Sequence, residues 1–284
     1  MSFSLIFLIV VLFGMLLIGA PVIMAIGTAA MAYFFTAPGM AGELMMYAHR
    51  LFTGMDSFIY ICIPLFMLSG DLMGYIGLMD KVVDFCRLFV GRFRGGLAYV
   101  NVLASMMFGG ISGSAIADIA ALGPIEISMM EKDGYDKELS AALTATTAIQ
   151  GPVIPPSIPS VMFASLTSVS VGAMFIGGVV PGIMLGLGQI IVLYFLGKKK
   201  NFPKSDIRYT PKEAIKTILS SFSAIFMIIL ILGGIISGIF TATEASAISV
   251  LYALILGFVV YRNLTFKDLW EAIKHTTTSS ASIF

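Results

Sequence analysis

Two short stretches carry residue types that could hold ions inside an apolar chain. One is Gly109-Gly110-Ile111-Ser112-Gly113-Ser114; the other is Gln150-Gly151-Pro152-Val153-Ile154-Pro155-Pro156-Ser157. In the second, Pro152, Pro155 and Pro156 remove three backbone donors, and each disfavours the helical conformation of the residue before it. A helix broken there exposes N–H donors at one new end and C=O acceptors at the other. Bare carbonyls with serine hydroxyls suit a hard cation such as Na+, and the start of a half-helix favours a carboxylate. The cation candidates are therefore Gly110, Ser112, Gly113 and Ser114, together with Gly151, Pro152 and Val153. Ser112, Pro156 and Ser157 are the candidates for an anionic substrate, and Ser157 also stands where it would cap the second half-helix. Close helix packing is the other use of such glycines and serines. Asp118, one turn past Ser114, either supports the tip by orienting it and balancing cation charge, or serves as a cap or packing contact. Thr144, Thr146 and Thr147 either bond back to their own helix or face the site.

The elements that must position these residues are membrane helices. Of 284 residues, 58% are hydrophobic and only 12% charged. That is about half the usual charged share of roughly 25%. Apolar runs of about 18 to 25 residues recur along the chain, the length a bilayer-spanning helix needs. Spans are expected at residues 2–18, 22–35, 57–76, 171–196, 215–239 and 245–261. Amphipathic interfacial pieces are expected at 43–52, 79–93 and 266–274, the first of them following Pro38. Thr210-Pro211 should cap a helix, and Glu244 should be a helix N-terminal acid. Asp71 and Glu126 lie near the ends of their spans and are expected to be wet.

Residues 95–132 hold two apolar arms of about 13 to 17 residues around the Gly/Ser centre, each short of the roughly 20 that cross a bilayer. A re-entrant helical hairpin with its tip at Ser112–Ser114 fits better than two spans. Residues 136–167 then form a discontinuous helix broken at 151–157.

The basic stretch Lys198-Lys199-Lys200, Lys204, Arg208, Lys212 and Lys216 reads as cytoplasmic. Counting back from it leaves Arg50 as the one outside residue among 17 Lys and Arg, with the N-terminus extracytoplasmic. The order span, break, span, amphipathic stretch, span over residues 1–77 recurs over 211–284 and starts from the opposite side, the pattern of inverted-repeat transporters. The fold class expected is an all-α membrane protein, an inverted-repeat elevator-type transporter whose second repeat is incomplete. Its parts are scaffold helices 1–77, an interfacial arm 78–94, half a transport domain 95–197, a linker 198–210 and the start of a second repeat at 211–284. The apolar segment running into Phe284 reads as part of a protein of roughly 400 residues or more.

Other functions find little footing. A net charge of +1 argues against a nucleic-acid partner. Cys62 and Cys86 lack ligand-like spacing and read as small core hydrophobes, and His49 and His275 are too far apart for a zinc motif. No transition-metal site is expected, and no nucleophile–base pair suggests an enzyme.

Several stretches resemble one family. They are Ala98-Tyr99-Val100-Asn101-Val102-Leu103-Ala104-Ser105-Met106, Gly109 through Asp118, Gly151-Pro152-Val153-Ile154-Pro155-Pro156-Ser157-Ile158-Pro159, Leu51-Phe52-Thr53-Gly54-Met55-Asp56-Ser57-Phe58, and Gly238-Ile239-Phe240-Thr241-Ala242-Thr243-Glu244-Ala245. They are similar to the large, DctM-type membrane subunit of tripartite ATP-independent periplasmic (TRAP) transporters, of the ion transporter superfamily. The resemblance implies a multi-pass protein of the bacterial inner membrane that imports organic acids, C4-dicarboxylates or similar carboxylates, on a Na+ gradient by an elevator motion. It implies a periplasmic substrate-binding protein and a small four-helix membrane subunit as partners, with membrane lipid around them. It also implies a Na+ site at Ser112–Ser114 and Gly151–Val153, and no cofactor beyond that coupling ion. The absent second hairpin and second broken helix depart from the family plan. A binding-protein-independent dicarboxylate or ion antiporter and a non-transporting structural membrane subunit are the alternatives.

Overall fold

The computed structural model describes residues 3–37, 39, 44–204 and 209–284. Ser2, Pro38, Glu43 and Arg208, which enter the expectations above, lie outside the described residues. The chain divides into two units, Met1–Ser57 and Phe58–Phe284.

In the first unit, α1 (Phe3–Leu17) and α2 (Val22–Thr36) pack on each other across a turn in which Gly19 takes φ +79°, a conformation glycine adopts without cost. The Ser4 hydroxyl donates to Thr36 O at 2.9 Å and ties the far ends together. α3 (Leu44–Met55) follows, and its Tyr47 hydroxyl donates to Gly27 O at 3.0 Å.

The second unit holds the candidate site. A short 3-10 turn, Phe58–Ile61, leads into α4 (Cys62–Tyr75). After Gly77 at φ +74° comes α5 (Leu78–Val90). Its Leu78, Met79, Val82, Val83 and Cys86 recur at helical spacing and are buried. Both cysteines are buried and unbridged, within the apolar cluster. Next come α6 (Gly96–Ser112), α7 (Ala115–Lys132) and α8 (Lys137–Thr147) with a 3-10 turn, Ala148–Gln150. Then follow α9 (Ile158–Thr167), α10 (Val171–Lys199), α11 (Pro211–Ile236), α12 (Ala242–Ile255, with a π turn Leu256–Val260) and α13 (Phe266–Ile283).

All regular structure among the described residues is helical, apart from one isolated bridge between Arg94 and Lys204. Four segments among them are long and apolar enough to cross a membrane: Phe58–Tyr75, Val171–Lys199, Pro211–Ile236 and Ala242–Val260. At 1.5 Å per residue α6 rises about 25 Å and α9 about 15 Å, both short of a hydrocarbon core of about 30 Å.

Three helix starts follow their sequence signals. Thr210/Glu213, Thr241/Glu244 and Thr265/Asp268 each form a reciprocal capping box, with Pro211 in the first turn of α11. Glu244 is therefore the helix N-terminal acid that its position suggests. The linker begins later than its charge run implies. α10 continues through Lys199, because lysines in a last turn suit the negative end of the helix dipole.

The centre of this unit is α6, buried along most of its length and packed on α4, α5, α7, α8, α10 and α11. Its start is anchored where Gly95 N donates to Pro203 O at 2.9 Å and Arg94 Nη2 to Asn201 Oδ1 at 2.7 Å. Phe202, buried there, lies 5.2 Å from the Tyr135 ring.

Candidate functional site

α6 stops at Ser112 because Gly113 turns left-handed, at φ +65°, and Ser114 is extended. α7 then starts on Ser114, whose Oγ accepts from Ala117 N at 3.4 Å. The Ser112 Oγ accepts from Ser114 N at 3.4 Å, so the two serines fold over the glycine between them. The prolines break the second helix where the sequence places them. α8 passes into the Ala148–Gln150 turn, and regular helix resumes only at Ile158. Val153 N and Ile154 N both donate to Gln150 O, at 3.0 and 2.8 Å, which rounds off the break. The Pro155–Pro156 bond is cis.

Tip and break meet backbone to backbone. Ile158 N donates to Gly113 O at 3.4 Å. A Cβ at Gly109 would lie 2.9 Å from Gly151 Cα, and one at Gly151 would lie 3.1 Å from the Ser114 carbonyl carbon. A Cβ at Gly113 would run into the Pro156 carbonyl, and one at Gly110 would lie 3.6 Å from Pro155 O. Gly110, Ser112, Gly113, Ser114, Gly151 and Pro156 are thus assembled at one junction.

Pro152, Val153 and Ser157 belong to it differently. The Pro152 carbonyl accepts from the Ser157 hydroxyl at 2.5 Å. A Cβ at Gly178 of α10 would lie 2.9 Å from Val153 O, so α10 covers that carbonyl. The Ser157 Oγ caps α9 by accepting from Ser160 N at 3.2 Å. Of α9's first amides, Ile158 and Ser160 are spent inside the protein and Pro159 has none. α7 differs: helix geometry leaves the Ala115 and Ile116 amides without an intrahelical partner, and Ile116 is exposed. Of the two helix starts, α7 is the one with donors to offer an anion.

Asp118 and Glu126 lie two turns apart on one face of α7 and are buried, at 1% and 0% exposed. Glu126 is therefore dry, against the expectation of a wet span end, because α7 packs on α5, α6 and α8. Asp71, expected wet as well, keeps only 15% of its side chain exposed and is hydrogen-bonded. Ser105 neighbours Asp118 and Thr144 neighbours Glu126, yet neither carboxyl has a hydrogen bond of good geometry.

Facing them is a polar ladder of which the sequence reading singled out only the threonines, without their partners Asn101 and Ser105. Asn101 Nδ2 donates to Thr144 Oγ1 at 2.7 Å, the Thr147 hydroxyl to Asn101 Oδ1 at 2.5 Å, and the Ser105 hydroxyl to Thr147 Oγ1 at 3.3 Å. Thr144 and Thr147 thus face α6, though the Thr147 hydroxyl also lies 3.1 Å from Leu143 O of its own helix; Thr146 bonds back to Ala142 O at 2.7 Å. The signal was present: Asn101 and Ser105 are four apart and Thr144 and Thr147 three apart, each pair on one helix face. Gln150 joins the break to α10 through Gln189, whose amide continues to Thr146 O at 3.0 Å. A second cluster also escaped notice, in which the Asp71 carboxylate accepts from Thr276 Oγ1 and contacts His275 Nδ1, both at 2.9 Å.

Comparison with known proteins finds relatives over most of the chain. A family model, "Tripartite ATP-independent periplasmic transporter, DctM component", matches residues 9–284. The sialic acid TRAP transporter large permease protein SiaM of Vibrio cholerae is 36% identical over 95% of this chain and 62% of its own length. The C4-dicarboxylate TRAP transporter large permease protein DctM of the same species is 37% identical, over 93% and 57%. The 2,3-diketo-L-gulonate TRAP transporter large permease protein YiaN of Escherichia coli K12 is 36% identical, over 92% and 61%. The chain spans about three-fifths of the length of these curated relatives.

Proposed function

Because this chain belongs to the family of the TRAP transporter DctM component, we propose that it is the membrane permease of a secondary transporter that imports an organic acid together with Na+. The observation that carries the proposal is the junction of tip and break. Two interrupted helices meet through Gly109, Gly113 and Gly151 with no side chain between them, which leaves serine hydroxyls and main-chain oxygens as the local chemistry. Ser112, Ser114 and the oxygens around Gly151 are the ion ligands in this account, with Pro152 and Val153 shaping the break and Asp118 beneath the tip. The carboxylate of the substrate sits at the start of α7, by Ser114. A periplasmic substrate-binding protein delivers the acid, and a small membrane subunit packs beside the permease in the bacterial inner membrane. The transport step is an elevator motion of the tip-and-break half against the remaining helices.

The test is uptake by the intact permease with its partners in liposomes. Uptake should stop when Na+ is replaced by K+, and should fall on Ser112→Ala and on Gly151→Ala. Uptake indifferent to the ion, or unchanged in both variants, removes the site assignment. The close packing at Gly109 and Gly151 also suits a structural subunit with no substrate path. Cysteines at Ser114 and Ser157 separate the two: a conducting junction admits a water-soluble thiol reagent in at least one state, and a structural one never does.

A further inference from the structure

A cavity of about 370 Å³ opens beside the tip. Its α7 wall is made of Ala117, Ala120 and Ala121, while the other side carries Asp71 and Tyr75 of α4 and His275 of α13. It adjoins the junction directly. Ala117 donates its amide to Ser114 Oγ, and α4 comes so near the tip that a Cβ at Gly70 would lie 3.1 Å from Ser112 Cβ. The volume falls within the range of small-molecule sites, about 300–1,000 Å³.

The polarity of this space runs one way. The start of α7, whose Ala117 lines the space, stands at the tip end, and by helix geometry its first amides are donors. At the far wall the open group is an acceptor. Asp71 Oδ2 accepts from the Thr276 hydroxyl and contacts His275 Nδ1, which leaves Oδ1 available as an acceptor. The wall also carries the Asp71 negative charge, and no Lys or Arg lines the cavity among the described residues.

Resting on the carboxylate reading above, we infer that this cavity receives the body of the transported acid and that the Asp71–His275 wall selects hydroxylated monocarboxylates over dicarboxylates. Hydroxyls on the substrate donate to Asp71 Oδ1. A second carboxylate would meet the Asp71 charge in a partly desolvated space, where like charges repel strongly and the wrong ligand is rejected.

Equilibrium binding of D-gluconate and of succinate to the intact permease in Na+ buffer, without the binding protein, tests this. The wild type should bind gluconate at least about tenfold more tightly than succinate. Asp71→Asn, whose amide oxygen still accepts from Thr276, should close most of that gap by improving succinate. Ala120→Leu, which fills the cavity from the opposite wall, should weaken gluconate and spare the fold. Succinate bound as well as gluconate by the wild type, or a gap unmoved by both variants, overturns the inference and leaves the carboxylate reading standing. Neither acid binding, or binding of both that ignores Na+ and Ser114→Ala, overturns that reading and the inference with it.

Discussion

The tip of the α6–α7 pair and its base hold polar groups by different means. At the tip the contacts are main chain to main chain, through Gly109, Gly113 and Gly151, and the serine hydroxyls are bonded locally. At the base the contacts are side chain to side chain: Asn101 and Ser105 of α6 meet Thr144 and Thr147 of α8, with Glu126 buried and unanswered nearby. Backbone geometry tolerates no added atom. A side-chain ladder tolerates exchange of members, at a cost set by the hydrogen bonds lost. Substitutions at the two ends should therefore differ in size, and at Glu126 in sign.

The largest effect is expected at Gly113. Valine there would place a β-branched residue at φ +65° and drive its Cβ into the Pro156 carbonyl. A loss of about 3 kcal/mol or more in thermal unfolding of the detergent-solubilised permease is expected, along with loss of uptake. A Gly113→Val protein as stable as wild type would mean that tip and break do not touch.

Glu126→Leu tests the base from the other direction. A buried carboxyl without a hydrogen bond costs about 1–3 kcal/mol relative to an apolar group of similar size. The variant should melt higher than wild type by a corresponding amount. A lower melting point would show that Glu126 is answered, by its neighbour Thr144 or by a group outside the described residues, and would bring the base closer in kind to the tip.

Thr147→Val removes two hydrogen bonds of the ladder and keeps the shape. Hydrogen bonds between membrane helices average about 0.6 kcal/mol and reach about 1.7. A destabilisation in that range is expected, smaller than at Gly113. An effect as large as that at the tip would erase the distinction between the two ends.

The same contrast explains what was legible in the sequence. Pro152, Pro155, Pro156 and Gly113 act on their own backbone, so the break and the tip could be placed from residue types alone. The capping boxes at Thr210, Thr241 and Thr265 are local in the same sense. Glu126 looked like a wet span end because distance along the helix was the only guide. Its burial depends on which face of α7 meets α6 and α8, and that is set by tertiary packing. Asp71 lies 204 and 205 positions from His275 and Thr276 in the chain, and no local rule brings it to them. Ser157 was the intermediate case: its capping role is local and was foreseen, while its bond to the Pro152 carbonyl needed the turn between them.

The smallest effect is expected at an acid that is fully answered. Asp268 opens α13 and accepts from the Thr265 hydroxyl at 2.6 Å and the Thr265 amide at 3.0 Å. The Thr265 hydroxyl first, and the Thr265 amide second, hold this carboxyl below the ordinary aspartate value of 3.8. An acid with a depressed folded-state value stabilises the fold above its unfolded value and stops doing so as pH falls through the folded one. The contribution of this cap should therefore be complete at neutral pH and fade only below pH 3.8. Thr265→Ala removes the hydroxyl, so the variant should be slightly less stable at neutral pH and should converge on wild type as the pH falls below that value. Because Asp268 is exposed, the difference will be modest and screened by salt. If Thr265→Ala and wild type stay equally far apart down to pH 3, the carboxyl plays no part in the cap.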